Sequence, residues 1–237
     1  MRHALVRFRY AILGAAAATL IVATALLPRI PQDPAYHDFA DTRACLGIPN
    51  FLNVVSNLPF FLVGVLGLRA RARELWEYRL CFSGVLLTAF GSAWYHAEPN
   101  NATLVWDRLP MSIGLMGLVA AIVAERTGLR LLWPLSLIGA GSVFYWQWTG
   151  DLRWYGLVQF GPALLIPALI FLFPARYTHT SYLLRVVGWY TVAKFLEHWD
   201  KQIFAMGGIV SGHTLKHLAA AWACYEIVLL HRKRHRV

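Results

Sequence analysis

Long apolar runs separated by short polar segments constrain this chain more than any other feature of its sequence. A run of about 20 apolar residues can cross a bilayer as a helix. Only 14% of the 237 residues are charged, whereas a soluble domain carries about 25%. The sequence therefore predicts an all-α, polytopic membrane helical bundle that forms one membrane domain over residues 1–237. The predicted spans are 9–27, 50–68, 79–96, 107–124, 131–147, 155–173, 182–198 and 211–230.

The Lys and Arg residues are distributed unevenly between the two sides of this bundle. The predicted inner segments carry fifteen of the 22 basic residues, and the outer segments carry five. Cytoplasmic loops carry such an excess of Lys and Arg, so we predict an integral membrane protein with both termini in the cytoplasm and residues 231–237 as a basic cytoplasmic tail. Because these residues stand in short runs between apolar spans, they explain the net charge of +10 without a nucleic-acid partner.

The first predicted span follows Arg2, Arg7 and Arg9 and ends before Pro28. An apolar run behind basic residues is also typical of a secretory signal peptide. We find no clean small-x-small cleavage site, and we therefore interpret residues 1–35 as a retained anchor helix and its loop. A cleaved signal peptide is the alternative.

The strongest chemical signal is a pair of histidines near the C-terminus, His213 and His217. Residues four apart share one face of a helix, so the two imidazoles can bind one metal ion together. The alternation of spans places this pair in the outer turns of the last span and His96 at the outer end of the third. Three imidazoles with an open fourth position are typical of catalytic zinc, so we predict Zn²⁺ on His96, His213 and His217. A hydrogen-bonded packing role is the alternative.

Ser92 and Asp107 are predicted to lie in the same outer layer, and we propose them as catalytic residues. Asp107 could accept a proton from a zinc-activated water or orient a ligand imidazole, and the Ser92 hydroxyl could donate to a developing oxyanion. The alternatives are a packing serine and a helix N-terminal carboxylate paired with Arg108. Catalysis by Ser92, His96 and Asp107 alone is conceivable, but it leaves the His213 and His217 pair without a role.

Polar residues on two other spans face the bundle interior. Lys194 and Glu197 lie on the seventh span, and Lys216 lies three residues after His213. They form either a network that holds the seventh span against the zinc helix or a purely structural intramembrane ion pair. Asn53, Ser56 and Asn57 share one face of the second span, and we interpret them as hydrogen-bonding groups between helices.

Four segments carry a resemblance to a known family. The segments are Gly47–Pro59 (GIPNFLNVVSNLP), Gly91–His96 (GSAWYH), Trp106–Met111 (WDRLPM) and Ser211–Ala220 (SGHTLKHLAA). Together they resemble the alkaline ceramidases, which belong to a superfamily of membrane hydrolases that includes the adiponectin and progestin receptors. The resemblance covers residues 36–230 and implies a seven-helix core with an intramembrane zinc ion on His96, His213 and His217, assisted by Ser92 and Asp107. It implies a zinc-dependent hydrolase that cleaves the amide of a ceramide-like lipid into a sphingoid base and a fatty acid.

The chain departs from this family at two places. The first span is extra to the seven-helix core. The eukaryotic enzymes of the family also carry an acidic calcium site, and here Asp38 and Asp41 fall in the matching region, but Asn50 stands where a carboxylate is expected. Ca²⁺ bound to these three residues is therefore one interpretation, and solvated loop charges are the other.

Two further functions compete with hydrolysis. A receptor or sensor of the same superfamily would keep the zinc and bind a lipid without turnover. A small-solute transporter would need polar groups along a path between both faces, yet the inner half of the predicted bundle is almost wholly apolar. Transporters also often show broken helices in repeated halves, which this sequence lacks.

Overall fold

The structure, a computed structural model, describes residues 2–70 and 75–237. In this part of the chain it is all-helical, with no strand, which confirms the all-α part of the predicted fold class. Arg71 and Arg73, two of the predicted inner basic residues, lie outside the described residues. A 3₁₀ helix covers Pro34–His37, and the α-helices are α1 Arg2–Leu26, α2 Phe51–Val55, α3 Leu58–Arg69, α4 Trp76–Ala97, α5 Asn101–Thr127, α6 Leu132–Thr149, α7 Arg153–Leu172, α8 Ser181–His198, α9 Asp200–Gly207 and α10 Gly212–Lys233.

Four segments of the described chain are long and apolar enough to cross a membrane. They are Phe8–Leu26, Phe51–Arg69, Asn101–Thr127 and Arg153–Leu172. The other long helices, α4, α6, α8 and α10, coincide with predicted spans, but polar or aromatic residues lower their hydropathy. The arrangement of eight spans therefore stays a prediction, and the polar residues of α4, α8 and α10 are those that build the site described below.

The predicted second span is not one continuous helix. It is divided into α2 and α3, with Ser56 and Asn57 between them. Pro59 lies in the first turn of α3 and lacks the backbone N–H that a continuing helix would use. The Asn57 side chain donates to the carbonyl of Asn53 over 2.8 Å. The break turns the polar face of α2 toward the N-terminal end of α10.

Helix α5 is the centre of the bundle, and α1 lies at its edge. In α5, 67% of the most apolar 18-residue segment is buried inside the protein, whereas only 6% of the corresponding segment of α1 is buried. Lipid tails are as apolar as the helix surfaces, so close packing holds such helices together rather than removal of apolar area from water. The packing is dense around α4 and α5, where Tyr78, Phe82 and Ile122 have no exposed surface.

The C-terminal residues are folded against the bundle rather than extended from it. Helix α10 continues to Lys233, past the predicted end at residue 230. The backbone of His235 then accepts from Thr178 N–H, and Val237 N–H donates to Arg176, at 3.0 Å each. Near the other terminus, the Tyr10 ring packs edge-on against Phe173, with 5.0 Å between ring centroids. Both chain ends therefore lie at the same end of the bundle.

Candidate metal centre

The three predicted zinc ligands meet in the structure. His96 is in the last turn of α4, and His213 and His217 are in the first two turns of α10. The Nε2 atom of His96 lies 3.2 Å from Nε2 of His217 and 3.3 Å from Nε2 of His213. All three rings are buried, with exposed fractions of 1–4%. Distant parts of the chain thus bring three imidazole nitrogens to one point, and the predicted convergence is confirmed as a cluster that could hold a metal ion.

The distances in this cluster fit a small tetrahedral cation. Two nitrogens bound at about 2.0–2.1 Å and a tetrahedral angle lie about 3.3 Å apart. The Nδ1 atom of His217 is 2.7 Å from the Ser56 hydroxyl, which itself lies 3.1 Å from the carbonyl of Asn53. A carbonyl only accepts, so the hydroxyl donates to it and His217 Nδ1–H donates to Ser56. Nε2 of His217 therefore points a lone pair at the other imidazoles, an arrangement that a shared cation stabilises.

The first turn of α10 is held in place by side chains from three other segments. Ser211 caps the helix by accepting from Thr214 N–H at 3.1 Å. Asp200 accepts from His213 N–H at 2.7 Å, and the Thr214 hydroxyl donates to the fully buried Asn53 amide at 2.9 Å. Four N–H groups at a helix start need such acceptors. The backbone that carries His213 and His217 is therefore fixed by hydrogen bonds.

Close packing also requires a glycine at this helix start. A Cβ atom added to Gly212 would lie 2.2 Å from the carbonyl oxygen of Leu196 and 2.8 Å from Cα of Asp200. Any other residue would push α10 away from α8 and α9. Gly212 thus sets the depth at which the following histidine enters the cluster.

Ser92 and Asp107 face each other across the α4–α5 interface. Both are buried, and the Ser92 hydroxyl lies near the Asp107 carboxylate. This contact depends on Gly91, because an added Cβ there would lie 1.9 Å from the Trp106 carbonyl oxygen. Ser92 is one helical turn before His96, so the serine–aspartate pair lies on the face of α4 that leads to the metal ligands.

Asp107 does not pair with Arg108, which was the structural alternative for it. The Arg108 guanidinium donates to Gln32 at 2.8 Å and lies over two aromatic rings, 4.1 Å from the Trp146 centroid and 4.5 Å from that of Tyr155. Arg108 is 3% exposed. Asp107 is thus left with the Ser92 hydroxyl as its neighbour.

The segment that precedes α2 covers the outer side of the cluster. The Phe39 ring lies 4.8 Å from the His96 ring and 4.7 Å from the His213 ring, and it is 5% exposed. His37 lies 3.0 Å from the Tyr95 hydroxyl, and the backbone N–H of Ala40 donates to Asp200 at 3.0 Å. Phe39 therefore covers the imidazoles of His96 and His213 on one side.

Lys194, Glu197 and Lys216 form one buried charge cluster. Glu197 accepts from Lys194 at 2.9 Å and from Lys216 through its other oxygen. The Tyr36 hydroxyl adds a longer contact to Glu197 at 3.4 Å. The carboxylate thus ties α8 to α10 one helical turn from His213, and both the network and the ion pair considered from the sequence are present.

The three candidate calcium ligands each have another partner. Asp41 is held by the Arg43 guanidinium at 2.7 and 2.8 Å, and this hydrogen-bonded cation lowers the pKa of the Asp41 carboxyl. Asp38 forms an ion pair with Lys201. Asn50 donates through its amide nitrogen to the His96 carbonyl at 2.8 Å. The structure therefore gives these residues positioning roles around the cluster, and calcium binding stays a prediction.

An apolar cavity of about 130 Å³ lies one helical turn inward of the cluster. Its lining includes Thr88, Met111 and Ala220, which lie one turn further along their helices from Ser92, Asp107 and His217. Residues one turn apart share a helix face, so the cavity and the polar groups face the same interior space. This space is suited to an alkyl chain whose polar group lies beside the imidazoles.

Sequence reasoning missed two contributors to the centre. The prediction that Ser56 hydrogen-bonds a neighbouring helix agrees with its 2.7 Å contact to His217 of α10, but its role beside a candidate metal ligand was missed. Phe39, which covers two of the rings, carries no sequence signal of its own. The sequence signal for Ser56 was its position on one helix face with Asn53 and Asn57.

Comparisons of the chain with protein-family models, with curated proteins and with solved structures found no match. The geometry of the three histidines is therefore the ground on which the function is argued.

Proposed function

We propose that this protein is a zinc-dependent intramembrane hydrolase that cleaves the amide bond of a ceramide-like lipid. The observation that carries the proposal is the buried convergence of three Nε2 atoms beside the Ser92–Asp107 pair. A zinc ion on three imidazoles supplies a water molecule that loses its proton near neutral pH, and it polarises a carbonyl group.

The protein's own side chains would manage the proton and the developing charge. Asp107 takes the proton from the attacking water, whose oxygen forms a bond to the amide carbon. Ser92 donates its hydroxyl hydrogen to the carbonyl oxygen as negative charge develops there. When the carbon–nitrogen bond breaks, Asp107 gives the proton to the leaving nitrogen. The products are a carboxylic acid and an amine.

The substrate class rests on the cavity and on the resemblance of the motifs to alkaline ceramidases. The 130 Å³ cavity below the cluster is lined almost wholly by apolar side chains. It accommodates part of one alkyl chain, with the amide held at the level of His96, His213 and His217. Hydrolysis there would release a sphingoid base and a fatty acid into the bilayer.

The proposed topology has eight spans, with both termini in the cytoplasm and the metal centre near the opposite face. The clustering of both chain ends at one end of the bundle supports an even number of crossings. The excess of basic residues in the predicted inner segments supports the orientation. The histidines lie at the N-terminal end of α10, whereas the C-terminal residues lie at its other end.

The test combines metal analysis with fatty-acid release from ceramide. We expect about one zinc ion per purified chain, and we expect His213→Ala to lose both the zinc and the turnover. The matched control is His198→Ala, which removes an exposed histidine at the end of α8 whose ring contacts Trp199. It should keep both.

Three results would contradict this proposal or favour another function. Full turnover in the zinc-free variant would contradict the proposed chemistry. A wild-type protein without bound zinc would contradict the metal centre itself. Zinc and co-purified lipid without release of fatty acid would instead favour a receptor or sensor.

A further inference from the structure

A second, larger cavity lies at the end of the bundle opposite the histidine cluster. Its volume is about 640 Å³, which is in the range of small-molecule sites. It lies between the end of α3, the end of α10 and the loop between α7 and α8. Its lining residues are Leu66, Arg69, Ala70, Tyr177, His231, Arg232, Arg234, His235 and Arg236. The lining thus contains four arginines and no carboxylate.

The wall of this cavity is an ordered part of the fold. Residues 235 and 237 exchange backbone hydrogen bonds with residues 176 and 178. Arg234 forms an ion pair with Glu125, and its guanidinium lies 4.4 Å from the Tyr177 ring centroid. A basic tail that served only to set the orientation in the membrane would not need these contacts. They hold the arginines around a defined space.

Most of the arginines in this cavity have no ion-pair partner among the described residues. Within residues 2–70 and 75–237, no carboxylate forms an ion pair with Arg69, Arg232 or Arg236. All three are exposed to the cavity or to solvent. Guanidinium groups bind phosphate oxygens through two parallel N–H donors. The cavity therefore has the charge and the donors that a phosphate group requires.

His231 adds a different kind of group to the cavity wall. Its Nδ1 lies 2.8 Å from the Ile227 carbonyl, and because a carbonyl only accepts, Nδ1 carries the hydrogen. The Nε2 atom of the neutral ring is then an acceptor. It is buried and has no hydrogen-bond partner among the described residues, and the residue is 8% exposed. Because this atom has almost no accessible surface, it does not face the cavity, and the arginines are the groups that a ligand can reach.

We propose that this cavity binds the phosphate headgroup of an anionic phospholipid. Its arginines bind the phosphate oxygens. From His213 to Arg232, α10 rises by about 28 Å at 1.5 Å per residue, which is close to the thickness of a bilayer's hydrocarbon core. The cavity therefore lies at the membrane surface opposite the metal centre, where anionic lipid headgroups are within reach.

The first experiment measures lipid binding to the full-length protein in detergent by native mass spectrometry. Phosphatidylglycerol and phosphatidylcholine with the same acyl chains are the probes, and wild type should bind phosphatidylglycerol at least about tenfold more tightly. The double variant Arg69→Gln with Arg232→Gln should bind phosphatidylglycerol about tenfold more weakly than wild type. The control pair is Arg79→Gln with Lys233→Gln, which removes equal charge from the same end of the bundle but outside the cavity, and it should keep the affinity.

Several results would overturn the proposal. Equal affinity of wild type for the two lipids would do so without any variant. An equal loss in both double variants would show that overall charge, not the cavity, attracts the lipid. If millimolar inorganic phosphate raises the melting temperature as much as phosphatidylglycerol does, the ligand is a soluble phosphate compound rather than a lipid.

Zinc content should be the same in all these variants, because the metal centre lies at the other end of α10.

Discussion

The two ends of helix α10 carry their polar side chains in opposite ways. At the N-terminal end, His213 and His217 are 4% exposed. The His213 N–H, the Thr214 hydroxyl and the His217 Nδ1–H form hydrogen bonds of 2.7–2.9 Å with Asp200, Asn53 and Ser56, respectively. At the C-terminal end, Arg232 and Arg236 are exposed and have no carboxylate partner in the described part of the chain. One helix therefore ends in a closed centre at one side and in an open basic cavity at the other.

The difference follows from what each end is suited to bind. A small cation needs its ligands held within a few tenths of an ångström, and buried hydrogen bonds fix the start of α10 and the His217 imidazole. A lipid headgroup is larger and arrives with its own hydration, so donors that remain solvated can adapt to it. Rigidity should therefore matter most at the closed end, around His213 and His217.

The largest effect is expected from Gly91→Ala. The added methyl group would meet the Trp106 carbonyl, which is backbone and cannot rotate away. Helices α4 and α5 would have to separate, at a cost of about 3 kcal/mol, the upper end of the usual range for overpacking. Thermal or denaturant unfolding should show this loss. Zinc content should fall as well, because the shift moves His96 away from α10.

The matched control for this prediction is Gly141→Ala on α6, where nothing lies within 4 Å of an added Cβ. Alanine favours a helix over glycine by about 1 kcal/mol, so this variant should be as stable as wild type or more so. If both variants behaved alike, close approach of α4 and α5 would not be what positions the centre.

The sequence predicted the helices better than it predicted where they break. Apolar runs predicted the long helices and most of their ends to within a few residues. This was possible because the hydrogen bonds within a helix depend on residues that are close in the sequence. The break at Ser56 and Asn57 was missed, since Pro59 is also compatible with an intact helix start. The short helix Asp200–Gly207 was missed because it depends on contacts of Asp200 with α10 and with Ala40.

The metal ligands were predictable because spacing and depth are encoded along the chain. His213 and His217 share a helix face however the helix packs against its neighbours. The alternating direction of the predicted spans placed His96 at the same depth in the bundle. The partners that fix these ligands were not predictable in the same way. Ser56 reaches His217 only because α2 ends where it does, and Phe39 covers the rings only because its loop is tied to Asp200 and Tyr95. Such contacts depend on tertiary geometry.

A smaller effect is expected from Ser56→Ala. The Nδ1–H of His217 would lose its acceptor, which now lies 2.7 Å away. Removal of the partner of a metal-bound imidazole lowers metal affinity by about 10- to 100-fold. Competition with a chelator of known affinity would measure this change, and the fold should be retained because α2 is a short helix.

The control for Ser56 is Ser136→Ala on α6. That serine is also buried, but its hydroxyl donates to the Leu132 carbonyl of its own helix at 2.7 Å. Its removal should leave zinc affinity unchanged. Equal losses in the two variants would assign the effect to general loosening of the bundle, and the specific role of Ser56 would be wrong.

The smallest effect, and one on rate rather than affinity, is expected from Phe39→Ala. The ring covers His96 and His213 without a hydrogen bond to either, so its loss should leave zinc affinity nearly unchanged. It should open a path for water and chelator, and zinc removal by excess chelator should become about tenfold faster, the order expected when a local opening step is no longer needed. Phe144→Ala, on the exposed side of α6, should release zinc at the wild-type rate. If Phe39→Ala also releases zinc at that rate, the segment before α2 does not close the centre, and the contrast between the two ends of α10 would rest on the hydrogen bonds alone.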